Sequence, residues 1–319
     1  MNMISMGAAH TVPRVNDTNS YIGVAMAEPD MMNGHGKLYV YEITGNDTST
    51  RKVLNTIKLP KNYFPYVHAF GLTERHAVLS LQPASMRLGM RSLMSGTLTD
   101  TIENYNESEL ANSLTVVPLD GSDVIVFPMT SPQWSVHVVN TYENETSLIF
   151  DYCAFPDMPF RDPLQLISTR LNKTARDESQ CRAQVKRAVL HLSGSRKGES
   201  EIFALTELPR MVEFPMIDFS DRGHSYCRFY GVEYWHDAGK TQSSFALRRT
   251  DLCHDEVKYW YRENVYPSEP ALVSSKDEKK SYIAFVALHG EEKISKFHVI
   301  DAETFEDISE TPLPTWIPF

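Results

Sequence analysis

No apolar run in these 319 residues approaches the length needed to span a bilayer, so nothing reads as a transmembrane helix. The N-terminus also lacks the basic-then-apolar pattern of a secretory signal, and the expectation is a cytoplasmic protein. A basic surplus is missing as well. The formal net charge is −10, nothing offsets repulsion from phosphate, and nucleic acid is excluded as a partner. Cysteine is sparse: Cys153, Cys181, Cys227 and Cys253 form no Cys-x-x-Cys pair and no zinc-like spacing. In a cytosolic chain they are expected to be reduced thiols. Asn-x-Ser/Thr sequons at Asn16, Asn46, Asn106, Asn144 and Asn172 then read as chance in a loop-rich sequence. A strict repeat of the kind that marks WD40 or kelch arrays is absent too.

What is present is ordinary globular composition, 42% hydrophobic and 23% charged, in a chain long enough for one large β domain or two smaller ones. Short period-two segments follow one another between turn residues. Tyr21–Ala27 and Lys37–Ile43 read as a strand pair, followed by Arg51–Leu59, Pro65–Gly71, Ala77–Gln82, Leu114–Leu119, Val124–Phe127, Trp134–Val139 and Ser147–Cys153. The later segments are Val185–Leu192, Glu201–Leu208, Ser225–Glu233, Phe245–Asp251, Glu256–Arg262, Pro270–Ser274, Ser281–Leu288 and Lys296–Ala302. So many strands with few helical windows predict an all-β sandwich, barrel or propeller, taken as a single domain over 1–319. Two stretches interrupt the pattern. Ala84–Leu114 is long and rich in Met, Ser and Thr; its start, with Met86, Leu88, Met90, Arg87 and Arg91, suits either a membrane surface or a covering loop helix. Phe160–Gln184 carries helical spacing at Leu164, Ile167 and Leu171 and then turns polar, an excursion off the β scaffold.

The segment Pro65–Pro83 puts Tyr66, His68 and Phe70 on one face of an extended run, with a turn at Gly71–Arg75 and a return through Ala77–Leu81. A histidine flanked by aromatics on both sides points into a nearly dry environment; alone, it is ordinarily a packing residue. His137 lies in WSVHVVNTYENETSLIFD, whose His137, Asn140, Tyr142 and Glu143 precede a turn and an apolar strand ending at Asp151. His10 follows Gly7-Ala8-Ala9, a run that means little by itself. Glu213 and Glu269 sit beside prolines in Met211–Pro215 and Tyr266–Pro270, where an exposed strand end is the ordinary account. His35 and His289 each precede a glycine and read as turn residues. His76, His191, His224, His236, His254 and His298 read as surface or packing residues.

Together these segments resemble the carotenoid cleavage oxygenase family, which includes the animal carotene oxygenases and the retinoid isomerohydrolase. FPYVHAFGLTERHAVLSLQP is similar to the family's segment around one iron-ligating histidine, the His137 segment to another, and Gly7–His10 to a third. The resemblance implies a seven-bladed β-propeller, incomplete in this chain, with loops and helices forming a cap. It implies Fe(II) held by His10, His68 and His137, with Glu213 and Glu269 accepting hydrogen bonds from ligand histidines. A metal-bound imidazole needs such an acceptor to hold its tautomer and ring angle. The family further implies O2 and a carotenoid or retinoid as reactants, with an aldehyde such as retinal as product. A retinyl ester isomerohydrolase activity, with iron as a Lewis acid, is the alternative within the family. The family also carries blades before its first histidine, another orienting glutamate, and a fourth ligand histidine beyond an Ile-Pro-Phe-like strand. Here the sequence starts just before His10 and ends at Trp316-Ile317-Pro318-Phe319, and His289-Gly290 lies upstream of that strand. The expectation is therefore the inner portion of a family member acting as a carotenoid-cleaving dioxygenase; a catalytically impaired truncated member, or a remnant that binds lipid or protein, is the competing reading.

Overall fold

Antiparallel meanders build almost all of this protein, whose computed structural model describes residues 4–30, 34–86, 101–159, 172–275 and 280–317. The first sheet takes Ile4–Gly7 (β1), Val12–Arg14 (β2), Asp17–Asp30 (β3), His35–Thr44 (β4) and Asp47–Lys58 (β5), in the order β1-β3-β4-β5 with β2 also paired to β3. Gly71–Leu72 (β6) and His76–Leu81 (β7) follow, then a two-stranded ribbon of Ala84–Met86 (β8) and Ile102–Asn104 (β9). Ser113–Pro118 (β10) and Ile125–Pro128 (β11) complete a second sheet in the order β11-β10-β7-β6. The third sheet runs Trp134–Glu143 (β12), Ser147–Phe155 (β13), Gln184–His191 (β14) and Ser200–Ala204 (β15) in simple succession. A short helix, Lys173–Glu178 (α1), stands between β13 and β14.

Met211–Met216 (β16), Arg228–Tyr234 (β17), Ala246–Asp251 (β18) and Glu256–Trp260 (β19) form the fourth sheet, again consecutive. The fifth joins Val265–Pro267 (β20), Ala271–Ser274 (β21), Ser281–His289 (β22), Ile294–Asp301 (β23) and Asp307–Pro312 (β24) in the order β20-β22-β23-β24, with β21 on β22. The chain divides into two compact units: 1–161 with 186–203, and 162–185 with 204–319. The first holds sheets one to three and the second holds sheets four and five. The all-β expectation is met. Serial four-stranded meanders with short turns need no internal repeat, because each sheet is specified by its own alternation.

Packing follows from that alternation. In the first unit Val78, Leu114, Val116, Phe127, Leu148, Phe150, Tyr152 and Leu190 share one core, and every residue of β13 is buried. In the second unit Val232, Leu247, Trp260, Ile283, Phe285, Ala287 and Ile300 do the same. Burying a side chain of this size stabilises the fold by about 1.5–3 kcal/mol. Asparagines of the sequons serve turns and caps: Asn144 Oδ1 accepts from Thr146 N (3.1 Å) and Ser147 N (2.7 Å), and Asn172 Oδ1 accepts from Ala175 N (3.0 Å) to cap α1.

Three expectations need correction. Pro65–Phe70 belongs to no strand, and only Gly71–Leu72 pairs, with β7. Alternation in the sequence does not guarantee a ladder. Pro65 has no N–H to give, and Phe64 instead bonds Ser85 Oγ and Met86 N. Second, Cys227 and Cys253 are joined in a disulfide across 26 residues. Cys227 precedes β17 and Cys253 follows β18, and the register partners Arg228 and Asp251 carry them together at the end of the ladder. Third, His289 and His298 are buried. His289 continues the inward face Ile283, Phe285, Ala287 of β22, and the His298 ring stacks on Phe285. Arg87–Leu93 with Met94, the helical spacing at Leu164–Leu171, and Pro318-Phe319 lie outside the described residues.

The His289 and His298 rings face each other with Nε2 atoms 3.0 Å apart. Burial, ahead of the opposing Glu310 charge, holds His298 down to about 4 against an ordinary 6.5, and burial lowers His289 as well. The unfolded chain therefore takes up these protons first. Their share of stability is complete above pH 6.5, is lost as pH falls from 6.5 towards 4, and changes little below that. Thermal melts across this window should show a falling midpoint, and the slope should flatten in a His298→Gln variant; equal slopes would contradict the assignment.

Candidate metal centre

His10, His68 and His137 come together in the first unit, with one ring nitrogen from each inside a sphere where all pairs are within 4.8 Å. Only His137 lies on a strand, the outermost of its sheet; the other two stand just outside the ladders. His10 occupies the turn between β1 and β2, His68 the unpaired run into β6, and His137 the first strand of the third sheet. Backbone hydrogen bonds explain the meeting of the first two. Ala8 N donates to Val24 O of β3 (2.8 Å), while Ala9 N (2.9 Å) and His10 N (3.3 Å) both donate to the carbonyl of His68. His10 Nε2 then lies 3.2 Å from His68 Nε2.

His137 is aimed by a broken ladder. The register of β12 on β13 shifts between Ser135 and Val138 and again between Val138 and Asn140. A bulge of this kind bends the strand and re-aims the side chain beside it. The His137 ring centroid lies 5.1 Å from that of His68 and 5.6 Å from that of His10, each pair edge-on.

The surrounding residues hold this arrangement. Gly71 passes flush against the hairpin β12–β13: a Cβ there would meet the Thr141 hydroxyl and approach the Phe150 ring to 2.9 Å. Glu143, at the end of β12, accepts from His76 Nδ1 (2.8 Å), Arg75 Nε (2.8 Å) and the Thr73 hydroxyl, tying the β6–β7 turn to the His137 strand. Burial would raise Glu143, but hydrogen bonds from His76, Thr73 and Arg75 outweigh it and hold the carboxyl at about 2. Asp151, fully buried on β13, takes a bidentate pair from Arg187 of β14 (2.9 and 2.8 Å). Tyr66 Oη lies 2.8 Å from His68 Nδ1, a contact that sequence reading passed over by treating Tyr66 as an apolar flank. The signal was there: residues i and i+2 of an extended run share a side.

Burial first, and then the neighbouring His137 and His10, hold His68 down to about 4, so its ring is neutral at physiological pH. Neutral imidazoles are the form that binds a divalent transition metal. Three nitrogen donors at this spacing fit such an ion, and among the described residues the group has no fourth member. A second group, His289, His298 and Glu310 in the other unit, is a poorer host. Its carboxylate is already paired with Lys296 (2.7 Å) and Arg262 (2.6 Å), whose charges oppose a further cation. Glu213 and Glu269 also lie in the second unit. Glu213 is buried on β16, Glu269 is exposed just beyond β20, and burial followed by both carboxylates pushes the Tyr234 hydroxyl well up.

Comparison with known proteins agrees with this architecture. The family model described as RPE65, retinal pigment epithelial membrane protein, matches residues 8–319. The chain is 27% identical over 220 residues to a carotenoid isomerooxygenase of Galleria mellonella, covering 65% of this chain and 40% of that protein. It is 25% identical to the chloroplastic carotenoid cleavage dioxygenase 8 homolog A of Oryza sativa subsp. japonica, covering 91% of this chain and 52% of that one. With the human mitochondrial carotenoid-cleaving dioxygenase it shares 23% identity over 80% of its own length and 50% of the relative. Cobalt-substituted Synechocystis ACO superposes with a TM-score of 0.77 at 16% identity, over 98% of this chain and 63% of that one. The chain thus spans about half the length of the curated relatives it matches.

The close approach at Gly71 is testable without any metal. Gly71→Ala should destabilise the fold by about 1–3 kcal/mol through overpacking against Thr141 and Phe150, read from urea unfolding. An unchanged midpoint would mean that the hairpin yields at no cost.

Proposed function

The chain belongs to the RPE65 family of carotenoid oxygenases, and from that premise we propose that His10, His68 and His137 hold a divalent iron at which a carotenoid or apocarotenoid is cleaved by O2. One double bond of the polyene breaks, and each new carbonyl takes one oxygen atom. The observation that carries the reading is the convergence of three imidazoles from the β1–β2 turn, the run before β6 and strand β12. Its cofactor, Fe(II), supplies an open position and redox chemistry for O2 when bound. The protein's share is to keep three donors neutral and to fix their directions. Burial around His68 serves the first need. The His68 carbonyl and the β12 bulges serve the second. Glu213 and Glu269 enter this proposal by sequence resemblance, as carboxylates that orient ligand histidines.

Isomerohydrolysis of a retinyl ester at the same site is the second reading, carried by the family resemblance of the sequence segments. Incubation with β-carotene and with a retinyl ester, each followed by chromatography of the products, separates the two. Retinal from β-carotene supports cleavage, and a retinol isomer from the ester supports the second reading.

His68→Ala and His137→Ala should each lower the iron content of the purified chain at least about tenfold, measured by plasma mass spectrometry, with the melting temperature retained. Full iron loading in either variant would overturn the ligand assignment.

A further inference from the structure

Cys227 and Cys253 are joined where the pair β17–β18 ends, and solvent reaches the link: Cys253 is exposed and Cys227 half-buried. The sulfurs duplicate a closure that is already made without them. Leu252 N donates to Cys227 O (2.7 Å), and Asp251 Oδ1 accepts from Cys253 N and His254 N, each at 3.1 Å. Asp251 Oδ2 takes Arg228 Nε at 2.9 Å across the last rung of the ladder. With these bonds in place, breaking the link leaves the ladder paired and the two cysteines facing each other. Exposed disulfides are the labile ones, open to an outside thiolate. We propose that Cys227–Cys253 is a reversible redox site, opened by a thiol reductant and closed again by the corresponding disulfide. None of this depends on the reading of the triad.

The exchange balances in two steps. A thiolate of the reductant attacks the sulfur of Cys253, the more exposed residue; the S–S bond breaks, a mixed disulfide forms, and Cys227 leaves as a thiolate that takes a proton from water. A second thiolate of the reductant then attacks the reductant's sulfur in that mixed disulfide, forming the reductant's own disulfide and releasing Cys253, which is protonated in turn. Two electrons enter the chain and the same two leave the reductant. What the link governs is the connection from β16 to β17. Residues 217–227 leave the sheet, pass through a short 3-10 turn at Phe219–Asp221 with Phe219 and Arg222 exposed, and return at Cys227. Near its start this loop is fastened by Asp218 Oδ2, which accepts from Ser274 Oγ (2.8 Å). At its end the disulfide ties it to the β18–β19 turn. Reduction removes the covalent half of that second anchorage, so the loop opens more often and the peptide bond after Arg222 becomes accessible to a protease.

The test takes the full chain purified in air and treats it, without denaturant, with reduced glutathione or with a thioredoxin-type dithiol protein. A maleimide quench and peptide mass spectrometry then locate the new thiols. Both Cys227 and Cys253 should be tagged within minutes, and oxidised glutathione should restore the link. Reduction by either reagent supports the site, and the one that acts at the lower concentration identifies the source. Trypsin should cleave after Arg222 about fivefold faster in the reduced chain than in the oxidised one. Cys253→Ser should show the fast rate with or without reductant. Reduction only after urea has unfolded the chain would overturn the proposal, as would equal cleavage rates in the two states. Tagging of both cysteines before any reductant is added would overturn it too.

Discussion

One carbonyl oxygen organises the site. The main-chain oxygen of His68 accepts from both Ala9 and His10, and so draws the edge of the first sheet onto the run that enters the second. It is available only because residues 65–70 lie outside every ladder, with backbone groups left over that must find partners elsewhere. A strand in this position would have spent the same oxygen on a neighbour. The irregular segment is thus the reason two histidines 58 residues apart share a hydrogen-bonding distance.

Placing ligands on an outermost strand and beside the ladders has a physical logic. Interior strands have all their backbone groups committed and their side chains packed on both faces, as β13 shows. Edge strands keep room for a polar side chain that must neither be fully buried nor fully wet. The triad spans that range, with His10 exposed and His68 and His137 half-buried. Two carboxylates of the β12–β13 hairpin are engaged by donors of their own: Glu143 by His76, Thr73 and Arg75, and Asp151 by the Arg187 guanidinium. Neither carboxylate is left to compete for the ion.

Much of this was legible in the residues, and the failures have a common cause. Strand β22 follows from alternation, because one of its faces is buried, whereas β13 is legible as an apolar run buried on both faces. His137 was legible in its motif because the turn and the apolar return strand are local. The run carrying His68 was read as a strand and forms none, since alternation cannot tell a paired strand from an unpaired run. The Cys227–Cys253 link depends on the register of β17 on β18, which 26 residues of separation conceal. His298 looked unremarkable because its burial is set by Phe285 across the ladder, not by its neighbours in sequence. β16 was missed because Pro215 and the positive φ of Phe214 break its pattern where the ladder to β17 slips.

The paired irregularities around Val138 carry a consequence for the tolerance of this strand to change. Two offsets so close together isolate a short section of backbone from the phase of the strand on either side. Lengthening or trimming the tip near Asn144 would alter the pairing of Tyr142 and Glu143 with Ile149 and Leu148, yet the pitch at His137 is set by its own local kink. Evolution can therefore edit the outer reaches of this hairpin while the imidazole keeps its bearing, much as a hinge pin holds a door true while its panel is recut.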